Sequence, residues 1–256
     1  MSKAMVESEV ETVVLDILSE MGYSVKFGPD LAPDGLYPER KSYLEVILFE
    51  RLSNAIAQLN PKIPTEIREM AVKKFLHPES QSLMFNNRLF HRMAVEGIPV
   101  EYKRVDGTIA GDTVHVIDFE NIENNEFLAV NQFTVIENND NRRPDVVIFI
   151  NGIPLVVIEL KNPADQNATI LSAFNQFQTY KQQIPSLFNY NEFLIISDGI
   201  EARAGTISSD KERFMPWKIL HEKEGAPHKR SELETLLKNV CNKNILLDLA
   251  RHFIVF

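Results

Sequence analysis

Asp145, Glu159 and Lys161 stand in a run that is otherwise almost wholly apolar: Pro144-Asp145-Val-Val-Ile-Phe-Ile-Asn151-Gly152-Ile-Pro-Leu-Val-Val-Ile-Glu159-Leu160-Lys161. Charges inside apolar strands are expensive unless they are paired or bind a metal. Two carboxylates and an ammonium brought together have a clear use. The carboxylates offer oxygen ligands to Mg²⁺, a hard cation. Such a cation activates water and offsets charge on a phosphodiester. The amine can orient or deprotonate that water, or offset charge in the transition state.

The elements that must position these groups are two strands, 145–150 and 153–161, joined at Asn151-Gly152. Glu159 and Lys161 are two apart, so they share a face. A two-residue Asn-Gly turn would pair Asp145 with Ile158 and point it away from Glu159. A three-residue loop, Ile150-Asn151-Gly152, with Gly152 left-handed as a bulge, would pair Asp145 with Val157, diagonal to Glu159. A metal site therefore requires that three-residue turn, or another local break in the strand before Asp145. Both faces of the pair are otherwise apolar, as in a central strand pair covered on both sides.

Around this hairpin, Val6, Val10, Val13, Val14, Ile17, Leu18 and Met21 predict a helix over 5–21, stopped by Gly22. Residues 24–41 read as a loop. Helices are expected over 43–59, 64–76 and 80–95. Strands follow at 99–105, 113–119 and 127–136, with Asp106-Gly107 as a turn. A helix is expected over 168–184, a buried strand over 192–197, and a helical tail over 231–253. Ser231 and Glu234 form a capping box for that tail.

Composition narrows the function classes. The chain has 256 residues and a net charge of −9, which argues against a free-standing, non-specific DNA binder. Its one cysteine, Cys241, excludes an internal disulfide and a cysteine-rich zinc site. A reducing cytoplasm fits best. The acidic first thirty residues do not resemble a secretory signal, and the longest apolar runs are too short to span a bilayer. No phosphate-binding G-x-x-x-x-G-K-[ST] motif is present, so no ATP site is expected in this chain.

The bare triplet is not specific, since Glu101-Tyr102-Lys103 also fits Glu-x-Lys on a plausible strand. Arg142 and Arg143 precede the run; they suit a phosphate and equally suit a solvated turn.

Pro144-Asp145-x₁₃-Glu159-Leu160-Lys161 resembles the core motif of the PD-(D/E)xK nuclease superfamily. More specifically, the chain looks like the N-terminal nuclease domain of the restriction (R) subunit of type I restriction-modification enzymes. Further residues carry this resemblance: Arg143-Pro144-Asp145, Asn151-Gly152-Ile-Pro-Leu, Asn125-x-Phe127, Asn131-Gln132-Phe133, Asn175-Gln176-Phe-Gln-Thr-Tyr180 and Phe214-Met215-Pro216-Trp217-Lys218. It spans Glu7 to Phe256.

The resemblance implies that Asp145 and Glu159 ligate Mg²⁺ and that Lys161 is the catalytic lysine. It implies that Gln176 and Tyr180, one helical turn apart, support Lys161 or contact DNA. The family tends to add an acid from its first helix. Here that acid could be Glu7, Glu9 or Glu11; Glu7, nearest the edge of the apolar stripe, is the first choice, and Glu11 the second.

The expected fold is α/β, a restriction-endonuclease-like mixed β-sheet flanked by helices, with an N-terminal helical lobe. Residues 1–256 are expected to form a single endonuclease domain. Its parts are a helical insertion at about 43–97, a nuclease core at about 5–21 and 98–220, and a C-terminal helical segment, 231–256. The apolar end Phe253-Ile254-Val255-Phe256 suggests that the segment leads to a motor domain absent from this chain.

The expected activity is Mg²⁺-dependent cleavage of double-stranded DNA after ATP-driven translocation by that motor. The partners implied are DNA and the methylation and specificity subunits, in the cytoplasm and without a membrane. Two rival readings are a repair or junction-resolving nuclease with the same core, and a degenerate, non-catalytic docking module.

Overall fold

The computed structural model describes residues 7–104, 106–161, 169–217 and 231–254; of Glu7 only the backbone is described. Helix α1 (Glu7–Glu20) leads to a short strand, β1 (Ser24–Phe27), and one helical turn, α2 (Gly28–Leu31). A helical lobe follows, made of α3 (Phe49–Leu59), α4 (Thr65–Phe75) and α5 (Leu83–Glu96). Next come β2 (Ile98–Lys103), β3 (Ile109–Val114), β4 (Phe127–Asn131), β5 (Val135–Glu137), β6 (Asp140–Arg142), β7 (Val146–Ile150) and β8 (Ile153–Leu160). The remaining elements are α6 (Ile170–Gln183), α7 (Pro185–Phe188), β9 (Phe193–Ser197), β10 (Ala202–Gly205), α8 (Glu232–Val240) and α9 (Lys243–His252).

The main sheet has six strands in the order β1-β4-β7-β8-β9-β10. It is mixed: β1 is parallel to β4 and β8 to β9, and the other pairings are antiparallel. Helices α1 and α6 pack on it, giving the helix-flanked mixed sheet expected from the sequence. Every residue of β7 and β8 is buried. That explains their unbroken apolar runs, because a central strand covered on both faces has no solvent side to make polar.

Several elements depart from the sequence expectation. The region read as a loop contains β1, whose four residues pair with β4 along the sheet edge. The helix expected from 43 begins only at Phe49, where Leu48 donates its N–H to Gly152 O at 3.0 Å. Strands β2 and β3 leave the main sheet and pair with each other. The expected strand 127–136 ends at Asn131, because Gln132 turns the chain with φ +56°. The tail is two helices, since Asn242 caps α9 by accepting from Asn244 N and Ile245 N. Cys241 between them is buried.

Candidate active site

The turn joining β7 to β8 has two residues, not three. Ile150 pairs with Ile153, and Asn151 (φ +52°) and Gly152 (φ +79°) both lie in the left-handed region, as a type I′ turn requires. Asn-Gly fits that turn so well that the expected three-residue loop does not form. The break comes instead within β8. Phe149 pairs with Pro154 but Ile148 pairs with Val156, so Leu155 is an extra residue. Beyond this bulge Val146 pairs with Ile158, and the next step sets Asp145 across from Glu159. Opposed residues of an antiparallel pair share a face.

Sequence reasoning missed what holds the bulge. Leu155 O accepts from Glu192 N at 2.8 Å and from Asn191 Nδ2 at 3.1 Å. The Asn191 amide is fully buried and also donates to Phe193 O at 2.9 Å. The far end of the hairpin is pinned as well. Asn151 accepts from Glu126 N and donates to Val116 O and Asn125 Oδ1. The Asn125 and Asn151 motifs thus serve the turn, not the chemistry.

Asp145 and Glu159 are 7% and 1% exposed. Burying an ion costs several kcal/mol, roughly, unless partners compensate, and both have partners. Asp145 Oδ2 accepts from Leu160 N at 2.7 Å, so the strand bearing Glu159 also orients Asp145. Glu159 Oε1 accepts from Lys161 Nζ at 2.8 Å. Lys161 Nζ also donates to Gln176 Oε1, and Gln176 Nε2 donates to Tyr180 Oη at 2.5 Å. The structure therefore joins Glu159, Lys161, Gln176 and Tyr180 in one chain of hydrogen bonds.

Helix α6 sets this chain in place. Its first turn is fixed by a capping box in which Thr169 Oγ1 accepts from Ser172 N and Ser172 Oγ accepts from Thr169 N. Gln176 and Tyr180, four apart, then share a face. Phe214 meets Phe174 of α6 edge-on at 5.3 Å, which gives the Phe214 motif a packing role. Burial raises the pKa of the Tyr180 phenol, and the negative charge of Glu159 raises it further. Tyr180 therefore keeps its proton while accepting from Gln176.

Beside this chain lies a polar groove of about 370 Å³ lined by Asn141, Arg142, Arg143, Ser172, Asn175, Gln176, Thr179 and Tyr180. Arg142 is held by Gln183 through Nε and Oε1 at 2.5 Å, and Arg143 is exposed. Among the described residues no acid lines the groove. Two further basic residues, Lys211 and Arg213, are exposed.

The side chain of Glu7, the first-choice acid of the first helix, also lies outside what the structure describes. Glu11 reaches the neighbourhood by another route: it accepts from Asn131 Nδ2 at 2.7 Å and from Gln132 Nε2.

The donor chemistry fits a hard divalent cation. Asp145 and Glu159 supply oxygen only and share a face. No group of three or more His, Cys, Asp or Glu gathers among the described residues. A two-carboxylate site suits Mg²⁺, which keeps several waters and takes one or two carboxylates. Among the described residues no helix is long and apolar enough to cross a membrane.

Comparison with known proteins places this site in context. Residues 4–213 match the family described as the type I restriction enzyme R protein N terminus. The type I restriction enzyme HindI endonuclease subunit of Haemophilus influenzae is 38% identical over 253 residues, 98% of this chain and 24% of that protein. The proposed type I restriction enzyme MjaIXP endonuclease subunit of Methanocaldococcus jannaschii is 34% identical over 267 residues, covering 96% of this chain and 25% of its own length. The type I restriction enzyme EcoprrI endonuclease subunit of Escherichia coli is 36% identical over 115 residues, 43% of this chain and 35% of that protein. The chain spans about a quarter of the first two relatives. A six-stranded mixed sheet, a paired Asp145 and Glu159, and a match over most of the length lead to one conclusion: the chain belongs to the type I restriction enzyme R protein N-terminal family.

Proposed function

We propose that this chain is the endonuclease domain of a type I R subunit, hydrolysing phosphodiester bonds of double-stranded DNA with Mg²⁺. A motor outside this chain consumes ATP to bring the DNA to it, and the complex includes methylation and specificity subunits in the cytoplasm. The observation that carries the reading is the register that sets Asp145 opposite Glu159, with Lys161 anchored beside them. Membership in the R-subunit family favours restriction over repair or junction resolution.

Asp145 and Glu159 would hold the cation. When bound there, Mg²⁺ supplies Lewis-acid activation of water and neutralises charge on the phosphodiester. The Lys161 ammonium has three donors. Two are directed at Glu159 and Gln176, and the third serves the attacking water or a phosphate oxygen. Gln176 sets that direction, because Tyr180 fixes its amide. Arg142 and Arg143 hold a phosphate of the bound strand in the polar groove.

The reading is tested by titrating the full-length subunit with Mn²⁺ in the absence of nucleotide. Asp145→Asn should weaken binding at the nuclease site about tenfold or more, a loss of at least about 1.4 kcal/mol. Unchanged binding would remove Asp145 from the site.

A further inference from the structure

Glu11 lies on α1 and Asp145 immediately before β7, yet the structure links them through β4. The Glu11 carboxylate accepts two amide donors, Asn131 Nδ2 at 2.7 Å and Gln132 Nε2. Asn131 pairs with Val146 as the last residue of β4. Gln132 then turns out of the strand with φ +56°, a left-handed backbone that a non-glycine residue adopts only when its surroundings impose it. In that conformation Gln132 donates its N–H to Asp145 O at 2.9 Å.

Asp145 is thus held from two sides: its side chain by Leu160 N, its backbone by Gln132 N. The first helix supplies the acid that keeps Gln132 in place. Among the described residues Glu11 joins no metal-binding cluster with Asp145 and Glu159, and Asn131 and Gln132 engage both its oxygens.

We infer that Glu11 is a positioning residue for Asp145, acting through Asn131 and Gln132, and not a ligand of the cation. The inference rests on the proposed role of Asp145 as a cation ligand. What Glu11 contributes is an acceptor for two amides, so its negative charge is replaceable. What Gln132 contributes is a side chain that fixes an otherwise disfavoured turn. A displacement of about 1 Å at a catalytic group lowers rate by about a hundredfold, which makes such a clamp consequential without contact to DNA.

The test uses the complete restriction complex, with ATP hydrolysis as the control for folding and assembly. Gln132→Glu should lower cleavage by about tenfold or more and raise the Mg²⁺ concentration giving half-maximal cleavage, because two carboxylates then face each other. Glu11→Gln combined with Gln132→Glu restores an amide–carboxylate pair with its polarity reversed. Cleavage and Mg²⁺ dependence should return to within about threefold of the original. Gln132→Gly tolerates the φ without the clamp, so it should fold as stably as the parent yet cleave about tenfold more slowly.

A double variant no better than Gln132→Glu alone, or a Gln132→Gly variant with full cleavage, would overturn the inference. Asp145→Asn is run alongside. If it cleaves normally, the reading of the site itself fails; if it is inactive while the clamp variants are normal, only the Glu11 inference fails.

Discussion

Asp145 faces Glu159 across the β7–β8 pair because Leu155 is left out of the pairing. With an uninterrupted two-residue hairpin Asp145 would oppose Ile158 and point to the other side of the sheet. One unpaired residue therefore decides whether the two carboxylates can meet. The bulge lies ten residues in sequence from Asp145, between Ile148 and Phe149 of the opposite strand. Bulges commonly re-aim side chains next to active sites.

Asn191 should matter for this reason, because its side chain holds the backbone carbonyls of Leu155 and Phe193. Asn191→Ala removes the side-chain donor to Leu155 O and Phe193 O. It is expected to cost about 1–3 kcal/mol, the penalty for stranding buried polar groups. Urea denaturation of the full-length subunit measures it. Stability within about 0.5 kcal/mol of the parent would show that the bulge holds itself.

Gln176 joins Lys161 to Tyr180. Gln176→Leu keeps much of the volume but removes both hydrogen bonds. It is expected to lower DNA cleavage by about a hundredfold, as for a misplaced catalytic group, and to leave ATP hydrolysis unchanged. Tyr180→Phe removes only the acceptor for the Gln176 amide and should cost less, about tenfold or below. The reverse order of severity would show that Tyr180 acts directly on the DNA.

Lys181, on α6 beside this chain, donates to Ile207 O at 2.7 Å, and burial lowers its pKa from 10.5 to about 8. Between those two values the unfolded chain holds a proton that the folded chain lacks, so this group makes stability rise with pH. Lys181→Met has no such titration. The stability of the parent relative to Lys181→Met should therefore increase from about pH 8 to about pH 10.5. A difference that stays flat or falls over that interval would contradict the assignment.

Arg142 and Arg143 face a groove that no acid lines among the described residues. Each phosphate contact contributes about 0.9 to the dependence of log affinity on log salt. Replacing both arginines with alanine should weaken DNA binding uniformly across sequences and lower that slope by about two for two contacts. An unchanged slope would make them solvated turn residues.

Much of this arrangement was legible in the sequence. Unbroken apolar runs and the Asn151-Gly152 turn identified the hairpin, and the i, i+4 spacing brought Gln176 and Tyr180 to one face of α6. The position of the bulge was not legible. The type I′ turn is a local preference of Asn-Gly, whereas the unpaired Leu155 is fixed by Asn191, 36 residues further along the chain. The place of Glu11 was also hidden. It follows from Gln132 adopting a left-handed turn, which no local pattern around Gln132 signals. Strands β1 and β10 escaped notice because each has only four residues and lies at a sheet edge, where burial imposes little pattern.

The central claim is that the carboxylates of Asp145 and Glu159 and the amine of Lys161 make up the cutting site. The most direct measurement follows supercoiled plasmid with the complete complex, ATP and Mg²⁺, comparing the parent with Glu159→Ala. The expected result is ATP hydrolysis at the parental rate with the plasmid neither nicked nor linearised. Equal cutting by the two would contradict the account.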